Sequence, residues 1–242
     1  GWRFFAGTAY ARRFLMGAAL LLAVGILAHY DAVYALPALV WLVLAGGWRR
    51  GWRGVQWLRE LALPVFIGAG VLLSFGVPFV LHERFARTVG YLGERIGSAS
   101  GGLFFNNLPD YYLIATFYNT TFQVDWLAIA LAAGILAWLM MYVRPRWLGG
   151  TLALLLVAGC GILVLAPQRF VLPDGSNWAL LAFGVPLAAL ALAPATPAAL
   201  RVLVLWFGAA FVAHAFIIGR PATHFYAMHI GAALLIALAV TR

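Results

Sequence analysis

The sequence predicts an all-α, polytopic transmembrane helix bundle of about eight spanning helices, with the N-terminus and the C-terminus both on the cytoplasmic side. Three observations carry that prediction. The chain of 242 residues is 65% hydrophobic and only 10% charged, whereas a soluble domain carries about a quarter charged residues. Apolar runs of roughly 15 to 21 residues recur along it, close to the length needed to cross about 30 Å of hydrocarbon. The basic residues are distributed unevenly over the segments that join those runs.

The apolar runs lie near 13–29, 31–47, 61–81, 124–143, 148–166, 178–194, 202–219 and 227–241. Helices are required there, because a backbone in lipid must satisfy its own polar groups, and the period-2 alternation of a barrel is absent. Pro37, Pro64, Pro78 and Pro186, and the pairs Gly68 with Gly70 and Gly159 with Gly161, fall inside the runs. Such residues are tolerated in spanning helices and allow close packing. The whole chain, 1–242, reads as a single transmembrane domain, with 82–123 as an extracytoplasmic loop followed by an interfacial helix.

Orientation follows from the arginines. With the N-terminus inside, the cytoplasmic segments hold Arg3, Arg12, Arg13, Arg49, Arg50, Arg53, Arg59, Arg144, Arg146, Arg201 and Arg242, against the single acid Glu60. The outer segments hold Arg84, Arg87, Arg95, Arg169 and Arg220, against Asp31, Glu83, Glu94, Asp110, Asp125 and Asp174. The opposite orientation would reverse the bias that cytoplasmic loops show. The net charge of +9 does not point to nucleic acid, since the arginines are scattered singly between apolar runs and form no basic stripe. No lysine occurs, which with the Ala and Leu excess suits a bacterial, GC-rich source and a multi-pass protein of the inner membrane. One cysteine, Cys160, lies within an apolar run and excludes a disulfide framework. The chain opens on Gly1 without a signal-peptide layout and is expected to be a piece of something longer.

Two connections are long. Residues 48–60 alternate Trp with Arg, which suits indoles at headgroup level and arginines on anionic lipid. Residues 82–110 are polar and rich in Gly and Ser, a length at which loops are commonly functional. Beyond them, Tyr112, Thr116, Asn119, Thr120 and Gln123 share one face of an uncharged amphipathic helix expected over 111–123, begun by Pro109 and Asp110. That face either lies flat on the outer surface or lines a polar cavity.

Polar residues within or beside the spans are the candidate site. His29, Tyr30 and Asp31 interrupt the first apolar hairpin at its outer turn, where a charge in the membrane costs roughly 2.5–3.5 kcal/mol. Arg220, His224 and Tyr226 open the last helix, with Pro221 suited to its first turn. Arg220, His224 and the unpaired N–H groups of a helix start suit an anion such as phosphate; an arginine reaching for lipid headgroups is the plain alternative. His214, within the seventh run, reads as a hydrogen-bonded packing residue. No metal site is expected: His82 and Glu83 lack a second His four residues on, and His224 and His229 are five apart. No nucleophile elbow, phosphate loop or dinucleotide fingerprint occurs, and no cofactor is expected.

The segments Gly25–Ala32 with Leu36–Leu39, Arg95–Gly97, Asn106–Pro109, Ala115–Phe122 and Pro221–Tyr226 resemble patches of membrane glycosyltransferases of the GT-C type. These are the bacterial relatives of protein mannosyltransferases and of the lipid A aminoarabinose transferase. The resemblance implies transfer of a sugar from a polyprenyl-phosphate donor to an acceptor at the extracytoplasmic face. It also implies a catalytic acid in a first outer loop, expected upstream of Gly1 because no acidic pair occurs in this chain; Asp31 is the one membrane-embedded acid left as a candidate. Arg220 with Arg84, Arg87 or Arg95 would clamp the phosphate. His29, Tyr30, Asn106, Asn107, Tyr118, Asn119, His224 and Tyr226 would supply neutral hydrogen bonds. A transporter or lipid flippase without covalent chemistry is the alternative, with charges expected near the midplane. The expected partners are membrane lipid and the polyprenyl-linked donor.

Overall fold

A computed structural model of the chain describes residues 1–7, 10–95, 104–112, 121–219 and 221–241. It is 82% helical. Among the described residues there is no strand, and the sole β pairing is an isolated bridge between Val171 and Asn177. Six helical stretches are long and apolar enough to cross a membrane: Ala11–Ala28, Tyr30–Arg49, Val55–Val80, Gln123–Tyr142, Arg146–Leu165 and Ala198–Ile217. Helices also stand where the two remaining spans are expected, but Ala179–Leu192 has 14 residues and Tyr226–Val240 has 15. At 1.5 Å per residue they reach about 21 and 23 Å, short of the hydrocarbon thickness. The chain divides into two compact units, residues 1–89 and 90–242.

The first unit is built on α1 (Trp2–Phe5), α2 (Ala11–Ala28), α3 (Leu36–Arg49) and α4 (Val55–Val80). A 3-10 turn over Tyr30–Ala35 joins α2 to α3, and Pro37 in the first turn of α3 has no N–H to leave unpaired. The reversal from α3 to α4 runs through Gly51 at φ 70° and Gly54 at φ 45°, left-handed values that an L side chain resists. α2 and α4 therefore run parallel and pack together. Arg12 donates to the Arg59 carbonyl at 3.5 Å near their starts, and Gly68 faces Ala19 further along. At the α3 end, a Cβ on Gly46 would lie 2.7 Å from the Phe4 ring and one on Gly47 2.4 Å from the Trp57 ring. Those glycines make room for a knot of aromatic rings, Phe4 on Trp52 and Trp52 on Trp57.

Helix α5 (Phe85–Arg95) follows the turn at residues 81–84 and crosses the division between the units. The expected loop over 82–110 thus contains the eleven residues of this helix, and 108–110 are helical as well. Phe85, Val89 and Leu92 recur at helical spacing, with Arg87 between them and Glu94 and Arg95 after them. The Gly- and Ser-rich stretch 98–102 lies outside the described residues.

The second unit comprises α6 (Thr121–Tyr142), α7 (Arg146–Leu165), α8 (Ala179–Leu192), α9 (Ala198–Val212) and α10 (Tyr226–Val240). Between α7 and α8 the chain makes a tight hairpin. Asp174 accepts from the Ser176 N–H, Gly175 takes φ 81°, and Asn177 caps α8 by accepting from the Ala179 N–H. The core is aromatic: Phe183 packs near Phe170, Phe211 and Phe216, and Phe207 stacks on Phe211. Helices approach through small residues, as lipid-embedded packing demands. A Cβ on Gly149 would meet the Leu139 carbonyl oxygen at 2.6 Å, and one on Gly159 would meet Ala182 at 2.9 Å. The expected glycine pairs divide in their roles. Gly159 and Gly68 face a neighbour, whereas Gly161 and Gly70 have nothing within 4 Å.

Gly149→Ala should therefore lower the melting temperature of the purified protein, since the obstructing atom is backbone and overpacking costs about 1–3 kcal/mol. Gly161→Ala should leave it unchanged or raise it slightly, alanine being favoured in a helix by up to about 1 kcal/mol. Equal melting of the two variants would contradict the contact between α6 and α7.

Candidate functional site

A polar cluster in the second unit begins with a defect in a helix. α9 ends in a π turn over Ala213–Ile217. Such a turn displaces the backbone ladder, and π turns are frequent at functional sites. Residues 104–107 run alongside it in extended form. The Phe105 N–H donates to the Phe216 carbonyl and the Asn107 N–H to the Ala215 carbonyl, both at 2.9 Å. The Asn107 side-chain amide then donates to the carbonyls of His214 and Ile218 at 2.8 and 2.7 Å. Asn107 is 6% exposed, so these bonds form where water is scarce and an orphaned carbonyl would be costly.

Next to Asn107, Asn106 accepts from the Leu108 N–H at 3.3 Å and starts a helical turn over 108–112. The start is thus capped by Asn106, one turn earlier than Pro109 and Asp110 suggest. This turn carries Tyr111 onto α10. The Tyr111 ring lies 4.6 Å from the Phe225 ring, and its hydroxyl shares a 2.6 Å hydrogen bond with His229 Nε2. Burial pushes the Tyr111 phenol up to about 12, and which of the two groups donates depends on the imidazole tautomer. His214 is fully buried, and its ring lies nearly parallel to that of His224, with centroids 6.2 Å apart. Phe225 sits 6.3 Å from His214, and Tyr226 sits 6.2 Å from His224. Three histidines and two tyrosines therefore gather about Phe225, where α9 gives way to α10.

Against this cluster lies a cavity of about 240 Å³. Its wall is formed by side chains such as Leu131, Ile135, Leu156, Phe183, Phe207 and Met228, while Tyr111, Tyr112 and His229 contribute polar atoms. The volume and the nearly unbroken apolar wall suit a hydrocarbon chain with a polar group beside the Tyr111–His229 pair.

The expected site residues fall into groups. Asn106, Asn107, His224 and Tyr226 come together in this cluster. Asn107 serves by holding the π turn, since both amide hydrogens are taken by backbone carbonyls. His29, Tyr30 and Asp31 belong to the first unit. There His29 Nδ1 accepts from the Asp31 N–H at 3.3 Å and lies 3.4 Å from its carboxylate, and the His29 and Tyr30 rings stack at 4.9 Å. Asp31 is 8% exposed, so this tip is partly folded inward. Arg84 and Arg87 are exposed, and the Arg84 N–H donates to His82 Nδ1 at 3.2 Å. Arg95 ends α5, and its side chain lies outside the described residues. Arg220, Tyr118 and Asn119 also lie outside them, as do Thr116 and Thr120 of the expected amphipathic face. Gln123 is exposed near the start of α6.

Sequence reasoning missed the Tyr111–His229 pair and the part of His214 in the cluster. Spacing along one helix relates His229 only to His224, whereas Tyr111 reaches His229 across 118 residues of chain. The signal that could have found it was the placement of an amphipathic tyrosine just after a capping asparagine. Comparison of the chain with protein-family models, with curated proteins and with solved structures finds no match.

Asn107→Asp tests the role given to Asn107. It replaces two donors by an acceptor facing two carbonyls, so the melting temperature should fall further than in Asn107→Ala, where the loss is about 1–3 kcal/mol for each carbonyl left without a donor. Variants melting like the parent would show that the π turn is held by other means.

Proposed function

We propose that this chain is part of a membrane glycosyltransferase that moves a sugar from a polyprenyl-phosphate donor to an acceptor at the extracytoplasmic face. The observation that carries this reading is the apolar cavity with a hydrogen-bonded tyrosine–histidine pair at its edge. An isoprenoid tail requires an apolar cleft of this kind, and the sugar and phosphate require donors at its mouth. The resemblance of the sequence patches to GT-C transferases points the same way. About eight spans, with both termini cytoplasmic in a bacterial inner membrane, accord with the arginine distribution.

In this reading the acceptor oxygen forms a bond to the anomeric carbon. The bond from that carbon to the phosphate oxygen breaks, and polyprenyl phosphate leaves with the electron pair. The acceptor's proton passes to a base; Asp31, paired with His29, receives no such role here. Tyr111, held protonated, orients the donor by hydrogen bonding, with His224 and Tyr226 beside it. Arg220, next to Pro221 in the sequence, meets the charge that develops on the leaving phosphate, where fixed donors are most effective.

A transporter or flippase is the second reading, and the position of His214 weighs against it. Transporters place polar sites near the midplane, whereas His214 lies at the end of the stretch Ala198–Ile217. A polar cluster near the end of an apolar stretch is what an interfacial enzyme needs.

Filling the cavity with Ala128→Phe and Ala132→Phe should weaken binding of a polyprenyl phosphate to the purified chain by tenfold or more, roughly 1.4 kcal/mol, with the melting temperature retained. Undiminished binding in a folded variant would remove the support the cavity gives. Arg220→Ala and Arg220→Lys should both reduce affinity for the same probe, the alanine variant by about 1.5–3 kcal/mol; a lysine variant equal to the parent would indicate headgroup contact instead. Reporter fusions after Arg59 and Arg146 should read cytoplasmic, and fusions within 97–102 and 173–176 extracytoplasmic; an extracytoplasmic signal at Arg146 would overturn the orientation.

A further inference from the structure

One end of the first unit collects charge and aromatic surface from four separate elements. α1, the start of α2, the end of α3 and the start of α4 meet there, because α2 and α4 are parallel and α3 returns between them. Arg3, Arg12, Arg13, Arg49, Arg53 and Arg59 are exposed at this end, and Glu60 is the one acidic residue near them in sequence. Interleaved are Tyr10, Trp48, Val55 and Leu58, each more than two-thirds exposed or close to it, at 68%, 67%, 77% and 72%. Isolated in water such a surface would expose much apolar area. At the boundary of a bilayer, indoles and aliphatic side chains sit in the headgroup layer and arginines meet the phosphates.

The arginines do not share one role. Arg50 turns inward: its guanidinium lies 4.1 Å from the Phe4 ring centroid and donates to the carbonyls of Phe4 and Gly46. It ties α1 to α3 and is thereby spent on the fold. Arg13 lies over Tyr10 and Arg49 over Phe5, at 4.9 and 4.8 Å. A ring beneath the guanidinium limits its motion while its in-plane N–H donors remain able to reach a phosphate. Arg53 is exposed on the turn between Gly51 and Gly54, and Arg12 and Arg59 adjoin across α2 and α4.

We propose that this end of the first unit is a binding face for the headgroup of an anionic phospholipid, with Arg12, Arg53 and Arg59 as phosphate ligands and Trp48 and Leu58 seated among the acyl-chain ends. Charge complementarity selects an anion, and the exposed indole and aliphatic side chains select a lipid over a free phosphate ion, which has no use for them. A zwitterionic headgroup offers the same phosphate but adds a cation that the arginine cluster repels.

The test uses the full chain purified in a non-ionic detergent. Phosphatidylglycerol, phosphatidylcholine and inorganic phosphate are titrated separately, with bound lipid read by native mass spectrometry and the melting temperature followed in parallel. Phosphatidylglycerol should bind and raise the melting temperature, and phosphatidylcholine should bind more weakly. In the variant Arg12→Gln/Arg53→Gln/Arg59→Gln, phosphatidylglycerol affinity should fall on the order of tenfold to a hundredfold, as expected for three charges at a membrane surface. A control with the same change of charge, Arg144→Gln/Arg146→Gln/Arg169→Gln, should keep most of it. Equal binding of the two lipids, inorganic phosphate matching phosphatidylglycerol, or equal losses in the two triple variants would each overturn the proposal. Should the triple variant fail to fold in the absence of lipid, Arg53→Gln alone, on an exposed turn, decides by the same comparison.

Discussion

In a hydrocarbon layer a peptide group finds no water, so each N–H and C=O must be bonded within its own segment or by a neighbour that reaches it. The architecture of this chain follows from that constraint. It makes every long apolar run helical, and it confines departures from the helical ladder to places where side chains or adjoining backbone can take up the released groups. The π turn over Ala213–Ile217 is the clearest instance. It is tolerable because the backbone of Phe105 and Asn107 and the amide of Asn107 supply donors to three of its carbonyls, those of His214, Ala215 and Phe216, and to that of its neighbour Ile218. The hairpin between α7 and α8 obeys the same rule with Asp174 and Asn177.

Packing follows from a second consequence of the solvent. Lipid tails are as apolar as leucine, so helices gain little by burying greasy side chains against each other and associate through close contact of small residues and aromatic rings. Gly149 and Gly159 bring α7 against its neighbours, and Gly46 and Gly47 admit Phe4 and Trp57. The same local device has different uses in the two units. In the second it closes an aromatic core beside a cavity. In the first it seats a Trp–Phe knot that absorbs Arg50 and leaves other arginines outward.

Function is drawn to the edges of the spans because polar groups are inexpensive there and costly at the centre. The cluster about Phe225 lies next to the end of the apolar stretch Ala198–Ile217, with an apolar cavity beside it. This pairing of a greasy cleft with uncharged donors is the arrangement an amphipathic substrate requires. The arginine-rich end of the first unit is built differently, with exposed arginines and an exposed indole in place of a cleft.

Composition and run length by themselves determined that the chain is helical and membrane-embedded, because those properties depend on sums over some twenty neighbouring residues. The start of the last apolar run singled out His224 and Tyr226, and the family resemblance of their segment singled out Asn106 and Asn107. Two of the eight expected spans are short helices: Ala179–Leu192 stops within the expected run 178–194, and Tyr226–Val240 matches an apolar run that is itself 15 residues long. Helix α5 was hidden within a segment whose glycines and serines dominate its composition. Only tertiary structure decided that Asn107 serves the backbone of a distant π turn, that Tyr111 meets His229, and that Arg50 differs from Arg53 three residues on. Each depends on contacts between residues far apart in the chain or on which way a turn faces, and neither is encoded in a local pattern.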